Sequence, residues 1–481
     1  MHAPSTLQPD FIKKYRPYRN LPPLVGLGTF AEAAEPGLSL DDSVDRLKRH
    51  HYALKRLHQI FIAHLTAEPI YELKMAYSYH AWLCAENVAA LRERVGEMRE
   101  PPLGLDKVPD PALEVFFDEI LGAPETNDLL TGIYGVAIPA VIAGLKCHLE
   151  ETHMLADQPT RRLCRQALGD MEEILAYGEQ AIKCLTADKP SACAPRLREI
   201  LAAAGGMDGT AERSGAKAER VFSSKAFQYD GVPQRDERFP DPFNLGVNAE
   251  VFLYDESKPP EAKVLMMFYK RIREIDVPEM MASILFETEG KPWEYYRDMT
   301  RQLWDEARHA MMGEVGFVSI GIDWSKHVMV NHTWSRSLNT QLKPKERHAV
   351  LYFIEQGLMP KTGKRHEWEV ALMSQNPLAA TFQDFDWADE VLHARIGRDW
   401  YVRDMPSAQE ATDYGDQCWS KVLINWGAFR DEGLTEHRNW WPELYQAYCK
   451  NFSRPVDPAV NAYHATYEST RPDLKDISIS G

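Results

Sequence analysis

From Pro292 to His309 the chain reads PWEYYRDMTRQLWDEARH, and from Ala388 to Gly397 it reads ADEVLHARIG. Each stretch carries an Asp-Glu-x-x-His motif, Asp305 to His309 and Asp389 to His393, within a segment of helical apolar spacing. Glu and His three residues apart project from one helix face, so Glu306 with His309 and Glu390 with His393 form two chelating pairs. One such pair means little, because a chain of this length holds on the order of one by chance; Glu150 with His153 is a third. Context separates the first two. Glu279 lies 27 residues before Glu306 and Glu355 lies 35 before Glu390, each on a preceding helical segment. Two helices that each give a Glu and two that each give Glu-x-x-His supply the ligands of a dinuclear site inside a four-helix bundle.

Four carboxylates balance two divalent cations and leave open positions for dioxygen or a substrate. Imidazole and carboxylate suit iron and manganese, with zinc also allowed by ligand type; iron is expected. At these residues the chain resembles the ferritin-like di-iron carboxylate superfamily, and within it the branch of tRNA-hydroxylase-like and uncharacterised ferritin-like proteins. The likeness rests on the two stretches quoted and on FIEQGLMP (Phe353 to Pro360), and it covers residues 263–405. It implies that Glu279, Glu306, His309, Glu355, Glu390 and His393 hold the metals, with Glu306 and Glu390 bridging. The cofactor expected is two iron ions, with an iron–manganese pair also suited to these ligands, and dioxygen is the co-substrate. Two positions stay open: Pro278 should start or kink the helix of Glu279, leaving Glu274 as a competitor, and Gly357 can end the third helix early, in which case Glu346 competes with Glu355. No catalytic group beyond these ligands is named.

Helical spacing organises the rest of the chain, and the fold class expected is all-α. After a Pro-rich arm (1–40), a capping-box pattern at Ser39 and Asp42 opens the first of four major helices in a bundle spanning 41–187. A mostly irregular connector (188–262) carries one short helical candidate and a strand candidate at Glu250 to Tyr254. The metal-binding bundle (263–405) has helices expected at about 263–289, 293–318, 344–356 and 384–403. Gly290 before Pro292 marks a stop and restart, and Pro344 opens the third helix. A Trp- and Tyr-rich helical extension (406–481) should pack on the bundle.

The first bundle reads as a degenerate copy of the second, which makes the architecture two tandem ferritin-like four-helix bundles. Setting Glu86 against Glu306 puts Ala89 at the His position and Gln59 at the position of Glu279. Asp170, Glu172 and Glu173 have no His three residues on, and counting back 35 from the two glutamates gives Ala137 or Ile138. One ligand of six survives, too few for two cations. Met266, Met267, Met280, Met281, Met311 and Met312, and the aromatics Tyr295, Tyr296, Trp304, Tyr352 and Trp387, read first as core. The distal nitrogens of His309 and His393 need orienting partners, and Asp305 and Asp389 are too close in sequence to their own histidines to be assumed for that role.

Composition limits the functional classes. The 481 residues are 44% hydrophobic and 26% charged, and 55 Lys and Arg against 71 Asp and Glu leave a net charge of −16, which argues against nucleic-acid binding. Seven scattered cysteines without a C-x-x-C pair fit reduced thiols in a cytoplasm. The N-terminus lacks a signal-peptide pattern, and the longest apolar stretch, Tyr134 to Leu145, is too short for a bilayer, so no membrane partner is expected. The function expected is a dinuclear-iron oxidase or oxygenase that activates dioxygen to hydroxylate, desaturate or cleave a small organic substrate, with an external electron donor and a homodimer allowed. The alternatives are an iron-handling or ferroxidase-type protein without organic substrate, and a non-catalytic scaffold.

Overall fold

The computed structural model describes residues 9–99, 103–186, 191–360, 362–423 and 426–470. Expectations for the remaining positions, including the first eight residues of the arm, 187 at the end of the first bundle, 188–190 of the connector and 471–481 of the extension, lie outside the described residues. Among those described, the chain is all-α without strands. The strand candidate at Glu250 to Tyr254 is corrected to a short helix, Ala249–Tyr254, opened by the Asn248 side chain accepting from the Val251 N–H. A polar cap at the right spacing outweighed the β-branched residue.

The main helices are α1 (Leu40–Leu65), α2 (Tyr71–Glu97), α3 (Pro111–Leu121), α4 (Thr126–Glu151, with a π-helical turn at Ile133–Ala137), α5 (Gln158–Thr186), α6 (Cys193–Ala203), α7 (Ala249–Tyr254), α8 (Pro260–Arg273), α9 (Asp276–Glu287), α10 (Trp293–Ser319), α11 (Thr333–Gln341), α12 (Pro344–Gly357), α13 (Lys364–Met373), α14 (Pro377–Trp400), α15 (Ala408–Leu423) and α16 (Trp441–Asn451). They divide into two compact units, one of Met1–Ile60 with Leu83–Gln228 and one of Phe61–Trp82 with Tyr229–Gly481. The units are discontinuous in sequence because the joined ends of α1 and α2 belong to the second.

In the first unit, Ser39 caps α1 by accepting from the Asp42 N–H at 3.1 Å. Asp110 caps α3, accepting from Ala112 and Leu113. Where one helix was expected between Pro111 and His153, two form, parted at Gly122. The second of these, α4, is long and apolar enough by composition to cross a membrane, which the dozen-residue reading of its centre missed; two thirds of its apolar window is buried, and it packs along α5 as a core helix. The register in which Glu86 faces inward is also corrected, since Glu86 is exposed and its neighbour Asn87 is buried against Asp170. Buried histidines fill this interior instead. Burial pushes His50, His51 and His58 down to about 3, helped by His148 near His50, Arg92 near His51 and Lys55 near His58, and it pushes His148 to about 4.

In the second unit, α8 and α9 together, α10, α14 and α12 form a ring of four helical columns, each packed on the next, with α13 laid against α8 and α14. Two glycines set the spacing. A Cβ on Gly313 would lie 2.2 Å from the Ile272 backbone nitrogen, so only glycine lets α10 approach α8 this closely. On Gly397 it would lie 2.6 Å from the Tyr352 ring, which fixes the contact of α14 with α12. Around the ring, Met266, Met267, Phe268 and Phe252 share one apolar core with Trp440, Trp441 and Leu444 from the extension.

The buried histidines of the first unit predict acid sensitivity. Their native pKa values lie below the unfolded value of about 6.5, so between pH 6.5 and 4 the unfolded chain takes up protons that the native chain refuses. Stability is full above pH 6.5 and falls with pH, by about 2 kcal/mol per histidine at pH 5. Denaturant melts at pH 7.5, 6 and 5 should show a falling midpoint; a flat profile would mean that these rings are not held neutral.

Candidate metal centre

The centre is assembled by residues that interrupt or end helices as much as by residues within them. Pro278 has no N–H for the Glu274 carbonyl, and in an unbroken helix its ring would clash there. The column therefore breaks: α8 ends at Arg273, Glu274 stands at its C-cap, the Glu274 carbonyl accepts from the Val277 N–H, and α9 restarts at Asp276. Glu274 and Glu279 stand on either side of the break and meet different partners, His309 for the first, Lys74 and Arg235 for the second. Glu274 faces the centre. Glu346 bonds the Lys343 N–H at the opposite end of α12, whereas Glu355, in the last turn before Gly357, reaches inward.

Two groups of side chains gather as a result, each able to hold a metal ion: Glu306, Glu355, Glu390 and His393, and Glu274, His309 and Asp386, with the donor atoms of each group within 4.8 Å of one another. One carboxylate, Glu306, lies between them. Glu306 directs Oε1 to His393 Nδ1 at 3.1 Å and Oε2 toward His309 Nδ1 at 3.6 Å. His309 Nδ1 also lies 3.4 Å from Glu274 and 3.5 Å from Asp386. Both imidazoles and Glu306, Glu355 and Glu390 are at most 4% exposed.

Each histidine is held from behind by the other motif. His309 Nε2 meets Asp389 Oδ2 at 3.2 Å, and His393 Nε2 meets Asp305 Oδ2 at 3.3 Å. Both aspartates are fixed by arginines of α10: Arg301 donates to Asp305 at 2.9 Å, and Arg308 donates to Asp305 and, at 2.9 Å, to Asp389. The brace runs between motifs, so each histidine keeps its Nδ1 turned to the centre. Burial opposes charge on both rings, but the carboxylates of Asp389, Glu274 and Glu306 raise His309 to about 10, and those of Asp305, Glu306 and Glu390 raise His393 well above the usual range. Burial and the neighbouring Glu390 push Glu355 well up, while Lys364 and His393 hold Glu390 well down against burial.

The donors fit a metal. His309 Nδ1, His393 Nδ1, Glu274 Oε2, Glu355 Oε2 and Glu390 Oε2 are buried without a hydrogen-bond partner, a costly arrangement that coordination would relieve.

Of the six residues expected, five lie here and Glu279 does not. Glu279 is fully buried between Lys74 Nζ at 2.9 Å and Arg235, which grips both its oxygens at 3.1 and 2.9 Å, with Ser335 donating at 2.9 Å. It is a structural ion pair. Glu274, the competitor, stands in its place, and Asp386 was missed although it lies four residues before Glu390 on the same helix face. Met266 and Met267 belong to the apolar core, Trp304 packs on Tyr79 with ring centroids 4.7 Å apart, and His332 lies buried beside the Glu279 network. In the first unit no group of this kind occurs among the described residues. Comparison with protein-family models, curated proteins and solved structures found no match to this chain.

Two substitutions separate the ion pair from the centre. Glu279→Ala strands Lys74 and Arg235 and should cost about 3–5 kcal/mol of stability, while the folded fraction keeps its metal content by elemental analysis. Asp305→Asn removes the acceptor behind His393 and should weaken metal retention about 10- to 100-fold in a chelator competition with little change in melting of the metal-free chain. Equal metal loss in both variants would contradict this division of labour.

Proposed function

We propose that this chain is a non-haem iron oxidoreductase of the ferritin-like di-iron carboxylate kind, using dioxygen to oxidise a small organic molecule. The observation that carries the reading is the pair of Asp-Glu-x-x-His helices whose Nδ1 atoms converge, unpartnered, on buried carboxylates. Glu306, Glu355, Glu390 and His393 would hold one iron position, and Glu274, His309 and Asp386 the other. Iron, when bound, supplies the one-electron steps that dioxygen chemistry requires and that no side chain here provides.

The protein's own part is positional. Asp389 and Asp305 fix the imidazole orientation, and Gln302 Nε2 donates to Glu355 Oε1 at 3.1 Å, turning the other oxygen inward. Packing of α8, α10, α12 and α14 keeps bulk water from the carboxylates. Returning the iron to its reduced form calls for an external electron donor. The seven cysteines are all free, in keeping with the cytoplasm in which this proposal places the protein.

The test is to load the metal-free chain with ferrous iron without oxygen, then admit oxygen and follow absorbance and oxygen consumption. One or two iron per chain and a new near-ultraviolet band are expected, both lost in His393→Ala and Glu390→Ala while far-ultraviolet circular dichroism is kept. Uptake of many iron per chain would replace the oxidase with an iron-handling protein. Zinc in preference to iron, or no metal, would remove the proposal.

A further inference from the structure

The two metal positions are not equivalent, and the difference lies in a residue outside the four ligand columns. Lys364 is the first residue of α13 and is completely buried. Its Nζ lies 2.7 Å from Glu390 Oε1, 2.9 and 3.0 Å from the two oxygens of Asp386, and 3.9 Å from Glu274 Oε1. The chain is bent to put it there: the Lys364 N–H bonds the Leu358 carbonyl at 3.3 Å, and a Cβ on Gly363 would lie 2.2 Å from that oxygen.

Approximate two-fold symmetry relates the motifs. Glu306 points one oxygen at each histidine, as a carboxylate shared by two cations would. Its counterpart Glu390 points Oε2 at His393, 3.6 Å away, but its Oε1 meets the Lys364 ammonium. We propose that Lys364 is a built-in cation standing in the second metal position, so that the centre binds one divalent ion tightly at Glu306, Glu355, Glu390 and His393 and admits a second only by displacing the ammonium. This rests on the reading of the centre as a metal site.

Donor availability supports the asymmetry. At the first position His393 Nδ1, Glu355 Oε2 and Glu390 Oε2 are all without hydrogen-bond partners. At the second, Arg271, also fully buried, pairs with Glu274 Oε1 at 2.6 Å and with Asp386, and Lys364 covers both oxygens of Asp386. Only Glu274 Oε2 and His309 Nδ1 are left there. Charge points the same way. Five carboxylates face two resident cations, Arg271 and Lys364. With both imidazoles counted as neutral ligands, one divalent ion leaves a single excess negative charge, and two leave a single excess positive charge in a dry interior. With Lys364 replaced by a neutral side chain, two divalent ions balance the carboxylates.

The experiment is a stoichiometric titration of the metal-free full chain with manganous ion, and separately with ferrous ion under nitrogen, counting metal per chain after desalting. The wild type should retain about one ion and Lys364→Met about two, while Lys364→Arg, which keeps the charge, should stay near one. In the wild type alone, chelator competition should show any second ion bound at least about 100-fold more weakly than the first, which holds the proposal open to test if Lys364→Met does not fold. Two ions of equal affinity in the wild type, or one ion still in a folded Lys364→Met, would overturn the role of Lys364 and leave the metal centre standing. No retained ion in any of the proteins would overturn the centre itself.

Discussion

Carboxylates brought within about 4 Å of one another repel by roughly 4 kcal/mol per pair at an effective dielectric of 20, and this chain gathers five of them in its core. Every nearby feature answers that repulsion. Arg271 and Lys364 lie among the carboxylates, the two imidazoles are drawn toward their protonated forms, and Arg301 and Arg308 neutralise the aspartates behind them. Such a cluster survives in a native state only if cations accompany it, whether side chains or metal. Burial of Glu306, Glu355 and Glu390, at most 4% exposed, makes the requirement stricter by excluding the water that would otherwise screen it.

The all-helical class was legible from periodicity, and the two Asp-Glu-x-x-His motifs were legible because their spacing is a property of one helix face. Boundaries signalled by backbone chemistry also read correctly: Ser39 opens α1, and Gly290 with Pro292 separates α9 from α10. What could not be read was whatever depends on contact between segments far apart in sequence. Glu279 and Glu274 look alike on paper, and the choice between them turns on the break that Pro278 enforces and on Lys74 and Arg235, which arrive from elsewhere. Glu86 looked like a ligand because an alignment of two helices assumed their rotation, and the inward face of α2 carries Asn87 instead. Lys364 gave no signal at all; it follows a Gly-containing turn on a helix that the periodicity did not single out.

The broken first column is what makes seven donors fit. An unbroken helix through residues 260–287 would present either Glu274 or Glu279, never both to useful partners. The break lets the first close on His309 and the second anchor an ion-pair network with Arg235, Asp276 and Ser335. One proline thereby assigns two similar carboxylates to different tasks.

The crossed brace has a consequence for heredity. Asp305 serves a histidine 88 residues away, and Asp389 serves one 80 residues back, while each sits only four residues from a histidine it does not hold. Damage at one motif is therefore felt in the other. A search for second-site suppressors of a lesion at Asp305 should return changes around His393 rather than around His309, and recombination that replaces one motif with a foreign copy should fail unless the other travels with it. The two motifs, distant in the gene, make up a single hydrogen-bonded unit.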